Sequence, residues 1–147
     1  MKLFKRSVWN QIKPEDKWEK SCVFCDVASE CEQELIIWKG EKFYIKHNKF
    51  PYLWLSNHLL VIPYRHVEHT KDVLVEEFQE FKEVEKFMFE YFGWEKYFSF
   101  IRQSGEAKSL HHLHYHYLPG EMWETAIENM LLTQWMERIE RPEYHIS

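Results

Sequence analysis

The chain has 147 residues, 45% of them hydrophobic, and a formal net charge of −5. This length predicts one domain with a substantial core, spanning residues 1–147. The negative charge argues against a general nucleic-acid backbone binder. The chain has no run of about 18 apolar residues that would predict a membrane-spanning helix. Its basic start lacks the apolar stretch of a signal peptide, so we expect a cytoplasmic protein.

Polar and charged residues dominate positions 1–20, which predicts a weakly ordered N-terminal lead-in with Trp9 and Trp18 as its large side chains. Cys22 and Cys25 follow in C-x-x-C spacing. This spacing lets two thiolates reach one metal from a tight turn, and alone it is also compatible with a redox pair. Cys31 does not extend the spacing and is predicted to be a lone thiol.

Hydrophobic periodicity predicts the helices and strands of the middle of the chain. Short β-branched and aromatic runs predict strands at 35–38, 42–45, 58–63 and 97–101, with Lys39-Gly40 as a turn between the first two. Apolar residues at three- and four-residue intervals predict a helix over 73–92, ended by Gly93. A second helix is predicted over 121–140, within a C-terminal helix and tail covering 121–147.

The residues 111–118 read His-His-Leu-His-Tyr-His-Tyr-Leu. Side chains alternate between the two faces of a strand, so a strand here would place three alternate histidines on one face. The other face, with Leu113 and the tyrosines, would pack on the body of the protein. Imidazoles near their pKa of about 6.5 can attack phosphorus, relay protons or bind a metal.

Two sequence blocks carry a resemblance to a known family. Residues 112–118 match the pattern His-φ-His-φ-His-φ-φ, where φ is hydrophobic. Residues 48–52 followed by 58–67 (HLLVIPYRHV) are similar to the second block of the same family. The chain therefore resembles the histidine triad superfamily over roughly residues 22–120, and is closest to its diadenosine polyphosphate hydrolase and phosphorylase branch.

The resemblance implies a fold, a substrate class and an assembly. It implies an α+β fold in which helices flank an antiparallel sheet, and a homodimer is expected because family members often pair. It implies a small-molecule nucleotide substrate rather than nucleic acid, and a hydrolase or nucleotidyl transferase that attacks the α-phosphorus of a dinucleoside polyphosphate or related nucleoside phosphate ester.

The resemblance also implies roles for single residues. The middle histidine, His114, would be the nucleophile, and Asn48 would hold the ribose hydroxyls. Gln103 and Ser109 lie in the loop that contacts phosphate. Zinc-containing members use four ligands, whose positions here are Cys22, Cys25, His66 and His112; the zinc would be structural.

The implied chemistry suits these side chains. A neutral imidazole is not repelled by phosphate, and it splits one hard displacement into two easier ones through a covalent phosphoramidate. The other ring nitrogen of His114 should donate to a backbone carbonyl, which fixes the tautomer. His116 can donate to a phosphate oxygen, and Lys108 adds positive charge where the family usually has Gln.

Other interpretations stay open from the sequence. Ser109 precedes His112 at the spacing of hexose-1-phosphate uridylyltransferases, although those enzymes have Gln where this chain has His116. A zinc-stabilised nucleotide-binding module with little turnover is a second alternative. A hydrolase with one metal on all three triad histidines is a third, but it leaves the cysteines unexplained. His58, His69 and His111 are expected to be structural or at the surface.

Overall fold

The computed structural model describes residues 1–11, 22–27, 33–103 and 111–140. Its sheet has five antiparallel strands in the spatial order β1-β2-β3-β5-β4. The strands are β1 (Ile36–Lys39), β2 (Phe43–His47), β3 (Leu59–Pro63), β4 (Tyr97–Phe100) and β5 (Tyr115–Pro119). With the helices, this sheet confirms the predicted α+β class, and each predicted strand is found within a few residues of its expected place.

The α-helices of the described residues are α1 (Arg6–Gln11), α2 (Val75–Phe92) and α3 (Glu124–Glu140). Single 3-10 turns cover Tyr52–Trp54 and Thr70–Asp72. The α2 helix ends at Gly93, as predicted, with a φ of 59° that favours glycine. None of the described helices has both the length and the apolar character needed to cross a bilayer.

The sheet separates two apolar cores. Strand residues alternate between the faces, so Phe43 and Ile45 of β2 point to one side while Tyr44 points to the other. The first side packs on Val84, Met88 and Phe92 of α2. On the second side, Trp9 and Phe24 cover Tyr44, Leu60 and Ile62.

The N-terminal segment differs from the sequence expectation over its described part. Residues 6–11 form a helix rather than a weakly ordered lead-in, because Trp9 is buried against the sheet and the Phe4 N–H donates to the Lys49 carbonyl (2.9 Å). The segment is therefore held by the apolar contact of the Trp9 side chain and by a tertiary backbone hydrogen bond. Residues 12–21, with Trp18, and residues 28–32, with Cys31, lie outside the described part of the chain.

The histidine strand begins later than predicted. The strand β5 starts at Tyr115, and residues 111–114 precede it without ladder pairing. Two bonds explain the difference: the Leu113 N–H donates to the Val67 carbonyl (2.7 Å), and the His112 ring donates to the Pro63 carbonyl (2.7 Å). Pro63 ends β3 and has no N–H to continue the ladder.

The packing prediction for this stretch nevertheless holds. Leu113 and Tyr117 are fully buried in the core formed with α2. His112 and His114 lie on the opposite side of the sheet, both against the Phe24 ring, and His116 faces the same pocket. The common histidine side therefore comes partly from β5 and partly from the irregular segment before it.

Candidate active site and metal centre

The four predicted metal ligands converge on one point. One donor atom from each of Cys22, Cys25, His66 and His112 lies within 4.8 Å of all the others. The His112 Nδ1 lies 3.3 Å from the Cys22 Sγ and 3.1 Å from the His66 Nδ1, and the Cys25 Sγ lies 3.3 Å from the His66 Nδ1. Tetrahedral zinc with bonds of about 2.0–2.3 Å would separate its ligands by about 3.3–3.8 Å, close to these distances.

The orientation of His112 fits a metal ligand. Its Nε2–H donates to the Pro63 carbonyl (2.7 Å), which leaves Nδ1 as the nitrogen with the lone pair, directed at the cysteines. Burial lowers the pKa of His112 to about 4, so the ring is neutral at pH 7 as a ligand must be. A hydrogen bond of this kind is the usual support of a metal-bound histidine.

The two cysteines could bind a metal only as thiolates. Burial, with the adjacent Cys22 sulfur, raises the pKa of the Cys25 thiol to about 11. Without a cation, Cys25 keeps its proton at neutral pH, whereas a bound metal ion stabilises coordinated thiolates outright. The four residues therefore fit Zn²⁺, with two sulfur and two nitrogen donors.

His114 has the predicted tautomer support. Its Nδ1 lies 2.8 Å from the carbonyl oxygen of His112, so Nδ1–H donates and Nε2 is the basic nitrogen. The ring is half-buried, lies against Phe24 and is 5.0 Å from the His116 ring between centroids. The His114 and His116 rings therefore line one pocket together.

His116 takes part in a chain of hydrogen bonds that sets its tautomer. The Tyr52 N–H lies 3.2 Å from the His58 Nδ1, which must accept, so the His58 Nε2 carries the proton. That Nε2–H donates to the His116 Nδ1 at 2.9 Å, and the His116 Nε2 then carries a proton of its own. Among the described residues, this buried Nε2–H has no acceptor.

Burial keeps both members of this pair uncharged. Desolvation is the largest cause, and it lowers the pKa of His58 to about 3 and that of His116 to about 2. Nearby positive groups, including Arg6 and Arg102, act in the same direction. At neutral pH, His116 therefore presents a neutral N–H donor.

His58 is the functional candidate that sequence reasoning missed. It was expected to be structural or at the surface, but it is fully buried and bonded directly to His116. A useful signal was present: His58 precedes a strand that is buried throughout, and a buried polar ring needs a hydrogen-bond partner.

The predicted substrate-binding residues have varied surroundings. Asn48 is buried and lines the pocket of His114, with its Oδ1 accepting the Phe50 N–H (2.9 Å). Gln103 bonds instead to Thr70, through Nε2 to Oγ1 at 2.7 Å. Lys108 and Ser109 lie outside the described residues.

Several solved structures of histidine triad proteins have a similar fold. A histidine triad nucleotide-binding protein from Candida albicans superposes with a TM-score of 0.57 at 17% identity, covering 82% of this chain and 99% of its own. A Zn-bound histidine triad family protein from Mycobacterium smegmatis gives 0.56 at 22%, covering 71% and 78%. The diadenosine triphosphate hydrolase of Plasmodium falciparum, in complex with cyclomarin A, gives 0.53 at 17%, covering 77% and 80%.

The chain therefore has the fold that these histidine triad proteins share. A family model described as "Protein similar to CwfJ C-terminal" matches residues 10–127. The chain belongs to that family. No curated protein matches the chain significantly in sequence.

Proposed function

We propose that the protein is a nucleotide hydrolase or nucleotidyl transferase that forms a covalent nucleotidyl intermediate on His114. The observation that carries this proposal is the hydrogen bond from the His114 Nδ1–H to the His112 carbonyl, because it makes Nε2 the nucleophilic nitrogen. The pocket beside His114 contains Asn48, which we assign to the ribose hydroxyls. Several proteins of this fold are named as hydrolases or nucleotide-binding proteins.

The reaction begins when the His114 Nε2 lone pair attacks the α-phosphorus. A P–N bond forms, the P–O bond to the leaving group breaks, and the leaving group departs with that electron pair. The neutral His116 Nε2–H donates to a phosphate oxygen as negative charge develops, and His58 holds His116 in the required tautomer.

The second step releases the nucleotide. An oxygen of water, or of an acceptor phosphate or hydroxyl, attacks the phosphorus. The P–N bond breaks, its electron pair returns to the His114 Nε2, and the proton of the attacking oxygen passes to solvent. With water as the acceptor the protein is a hydrolase, with phosphate it is a phosphorylase, and with another hydroxyl it is a transferase.

We assign Cys22, Cys25, His66 and His112 to one structural zinc ion. Such an ion would join three segments: the turn that contains Cys22 and Cys25, the segment after β3 and the segment before β5. Its ligand His112 also supplies the carbonyl that orients His114. In this assignment the metal supplies rigidity next to the nucleophile, and His114 supplies the chemistry.

The test is a product analysis by mass on a panel of dinucleoside polyphosphates and nucleoside phosphate esters, with wild type and His114→Asn. Wild type should release a nucleoside monophosphate or its transfer product. His114→Asn should lose turnover but still bind nucleotide, because a pocket-facing ring contributes little packing. The matched control is His111→Asn, at an exposed neighbouring histidine, and it should keep activity. Nucleotide binding without any wild-type turnover would favour the binding-module alternative.

A further inference from the structure

Helix α3 has the composition of a buried helix, but it is exposed along its described length. Among the side chains of residues 124–137, only Ile127 is half-buried, and the others are exposed. A helix in a globular protein gains most of its stability by packing an apolar face. The exposed apolar surface of α3 therefore points to an interaction with a further molecule.

The apolar side chains of α3 expose a large area. Ile127, Leu131 and Trp135 follow one another at four-residue intervals, which places them in one row along the helix. The large apolar residues that are more than half exposed lie in this row, beside it or just before the helix: Trp123, Met130, Leu131, Leu132, Trp135 and Met136. Together they expose roughly 600–800 Å², close to the roughly 800 Å² that each partner contributes to a standard protein–protein interface. Tryptophan and methionine are also enriched in such interfaces.

A cleft of about 820 Å³ at the start of α3 continues this apolar surface. It lies between the end of α2, the start of β4 and residues 120–125. Phe89, Tyr97 and Trp123 give the cleft aromatic walls. The Trp123 Nε1–H donates to the Glu121 carboxylate (2.8 Å), which holds the ring in position. Such a cleft can accept a large side chain from a partner that lies along the helix.

The same region is acidic. Residues 121–137 include four glutamates and no lysine or arginine. Among the described residues that line the cleft, Lys96 is the only cation, and Glu121 pairs with it. The ion pairs of the described residues involve neither Glu95 nor Glu124, which both line the cleft and are exposed. This charge favours a partner with lysine or arginine side chains.

The charge also argues against other molecules that could cover the surface. A second copy of the chain would bring acidic residues against acidic residues. A nucleic acid or an anionic membrane would be repelled in the same way. A basic protein segment has a further advantage, because cations bind the faces of exposed aromatic rings such as that of Trp123.

We propose that α3 and the adjoining cleft form a docking surface for a partner protein, and that the docked segment is an amphipathic basic helix. The apolar side of that helix packs on the row of Leu131 and Trp135, with one large side chain in the cleft. Its lysine or arginine residues pair with Glu95 and Glu124. The docking surface shares no lining residue with the histidine pocket, so the inference is independent of the proposed function.

The experiment uses two synthetic peptides of equal length with the same helical leucine pattern, one with lysine and one with glutamate at the polar positions. Fluorescence anisotropy measures their binding to the full chain. Wild type should bind the lysine peptide about tenfold more tightly than the glutamate peptide, or better. Leu131→Ser should weaken binding of the lysine peptide about tenfold. Val75→Ser, at an exposed apolar residue of α2, is the matched control and should not.

A charge reversal tests the acidic part of the docking surface. Glu124→Lys should weaken binding of the lysine peptide and strengthen binding of the glutamate peptide. Glu76→Lys is the matched control, because Glu76 is also an exposed acidic residue in the first turn of a helix. Stronger binding of the glutamate peptide is a gain, so it cannot result from misfolding.

Two results would overturn the proposal. The first is that wild type binds neither peptide, or that the docking-surface variants and their controls lose binding equally. The second comes from sedimentation without peptide: a wild-type dimer that Leu131→Ser converts to a monomer would mean that a second copy covers α3. A wild-type chain that binds the lysine peptide and does not associate through Leu131 is the expected result.

Discussion

At the scale of single residues, tautomers decide the chemistry of this site. His112, His114 and His116 are adjacent triad members, yet each has a different hydrogen bond. His112 donates from Nε2 and leaves Nδ1 for a metal, whereas His114 donates from Nδ1 and leaves Nε2 for phosphorus. His116 accepts at Nδ1 from His58 and keeps a proton on Nε2. In the proposed function, these different bonds suit similar side chains to the roles of ligand, nucleophile and donor.

The buried histidine pair predicts a pH dependence of stability. The pKa of His116 is about 2 in the folded protein and about 6.5 in the unfolded chain. Below about pH 6.5 the unfolded state therefore binds more protons, and stability falls as the pH falls. From pH 7 to pH 5, His116 should account for about 2 kcal/mol of that loss. Urea unfolding of wild type and His116→Asn at both pH values measures it; equal losses would contradict the buried neutral pair.

The tautomer chain gives a prediction for His58. His58→Phe keeps an aromatic ring but removes the N–H that His116 accepts, so kcat should fall by about 10²–10³. The fold should persist, because the new ring stays apolar in a buried position. Steady-state kinetics with a thermal unfolding control measures this. Wild-type kcat in a folded His58→Phe would mean that the His116 tautomer does not matter.

Sequence reasoning predicted which side chains lie together better than it predicted the bonds between them. The four predicted metal ligands lie close together, as the resemblance implied, because C-x-x-C spacing and the triad pattern are local signals. Gln103 shows what the sequence could not predict. The sequence predicts that Gln103 lies in a loop, but only the tertiary structure places Thr70 against its amide. His58 was missed for the same reason, since its partner lies 58 residues away along the chain.

At the scale of elements, periodicity was the reliable signal. The α2 helix was predicted from its apolar spacing, and Val84, Met88 and Phe92 indeed face the core. The start of strand β5 was less predictable. It depends on the backbone carbonyls of Pro63 and Val67, which accept hydrogen bonds from the segment before the strand. Helix α1 was not predicted, since Trp9 reaches its site through tertiary contacts with Phe50 and other residues on the sheet.

The packing of α2 gives a stability prediction with an internal control. Met88 is fully buried between the helix and the sheet, whereas its neighbour Phe89 is 69% exposed. Met88→Ala should lower the free energy of unfolding by about 2–5 kcal/mol, because it leaves a cavity. Phe89→Ala should change it by less than about 1 kcal/mol. Denaturant unfolding of both variants measures this; equal losses would contradict the packing described for α2.

At the scale of the whole molecule, the four-ligand cluster joins segments that are distant in sequence. Cys22 and Cys25 approach His112 across 90 and 87 residues, and Cys25 approaches His66 across 41. A zinc ion there would close long loops and hold the segment that orients His114. Helix α3 is unlike the rest of the chain, because it exposes the apolar residues Met130, Leu131, Trp135 and Met136. The homodimer expected from the resemblance stays a prediction that sedimentation can test.

The metal assignment predicts about one zinc ion per chain in elemental analysis. Removing it with a chelator should lower the melting temperature by about 10 °C or more, since several kcal/mol of binding energy are lost. Cys25→Ser should reproduce this effect without chelator, and Cys31→Ser should not. A metal-free chain of unchanged stability would contradict the assignment.

The proposed function depends most on His114 as a covalent nucleophile, and one measurement tests this role directly. Wild-type protein is mixed with a substrate, quenched within milliseconds to seconds, and its peptides are analysed by mass. We expect a nucleotidyl group on the peptide that contains His114, absent from His114→Asn and present in the exposed control His111→Asn. Rapid turnover with no adduct at any quench time, or full turnover by His114→Asn, would contradict the covalent mechanism.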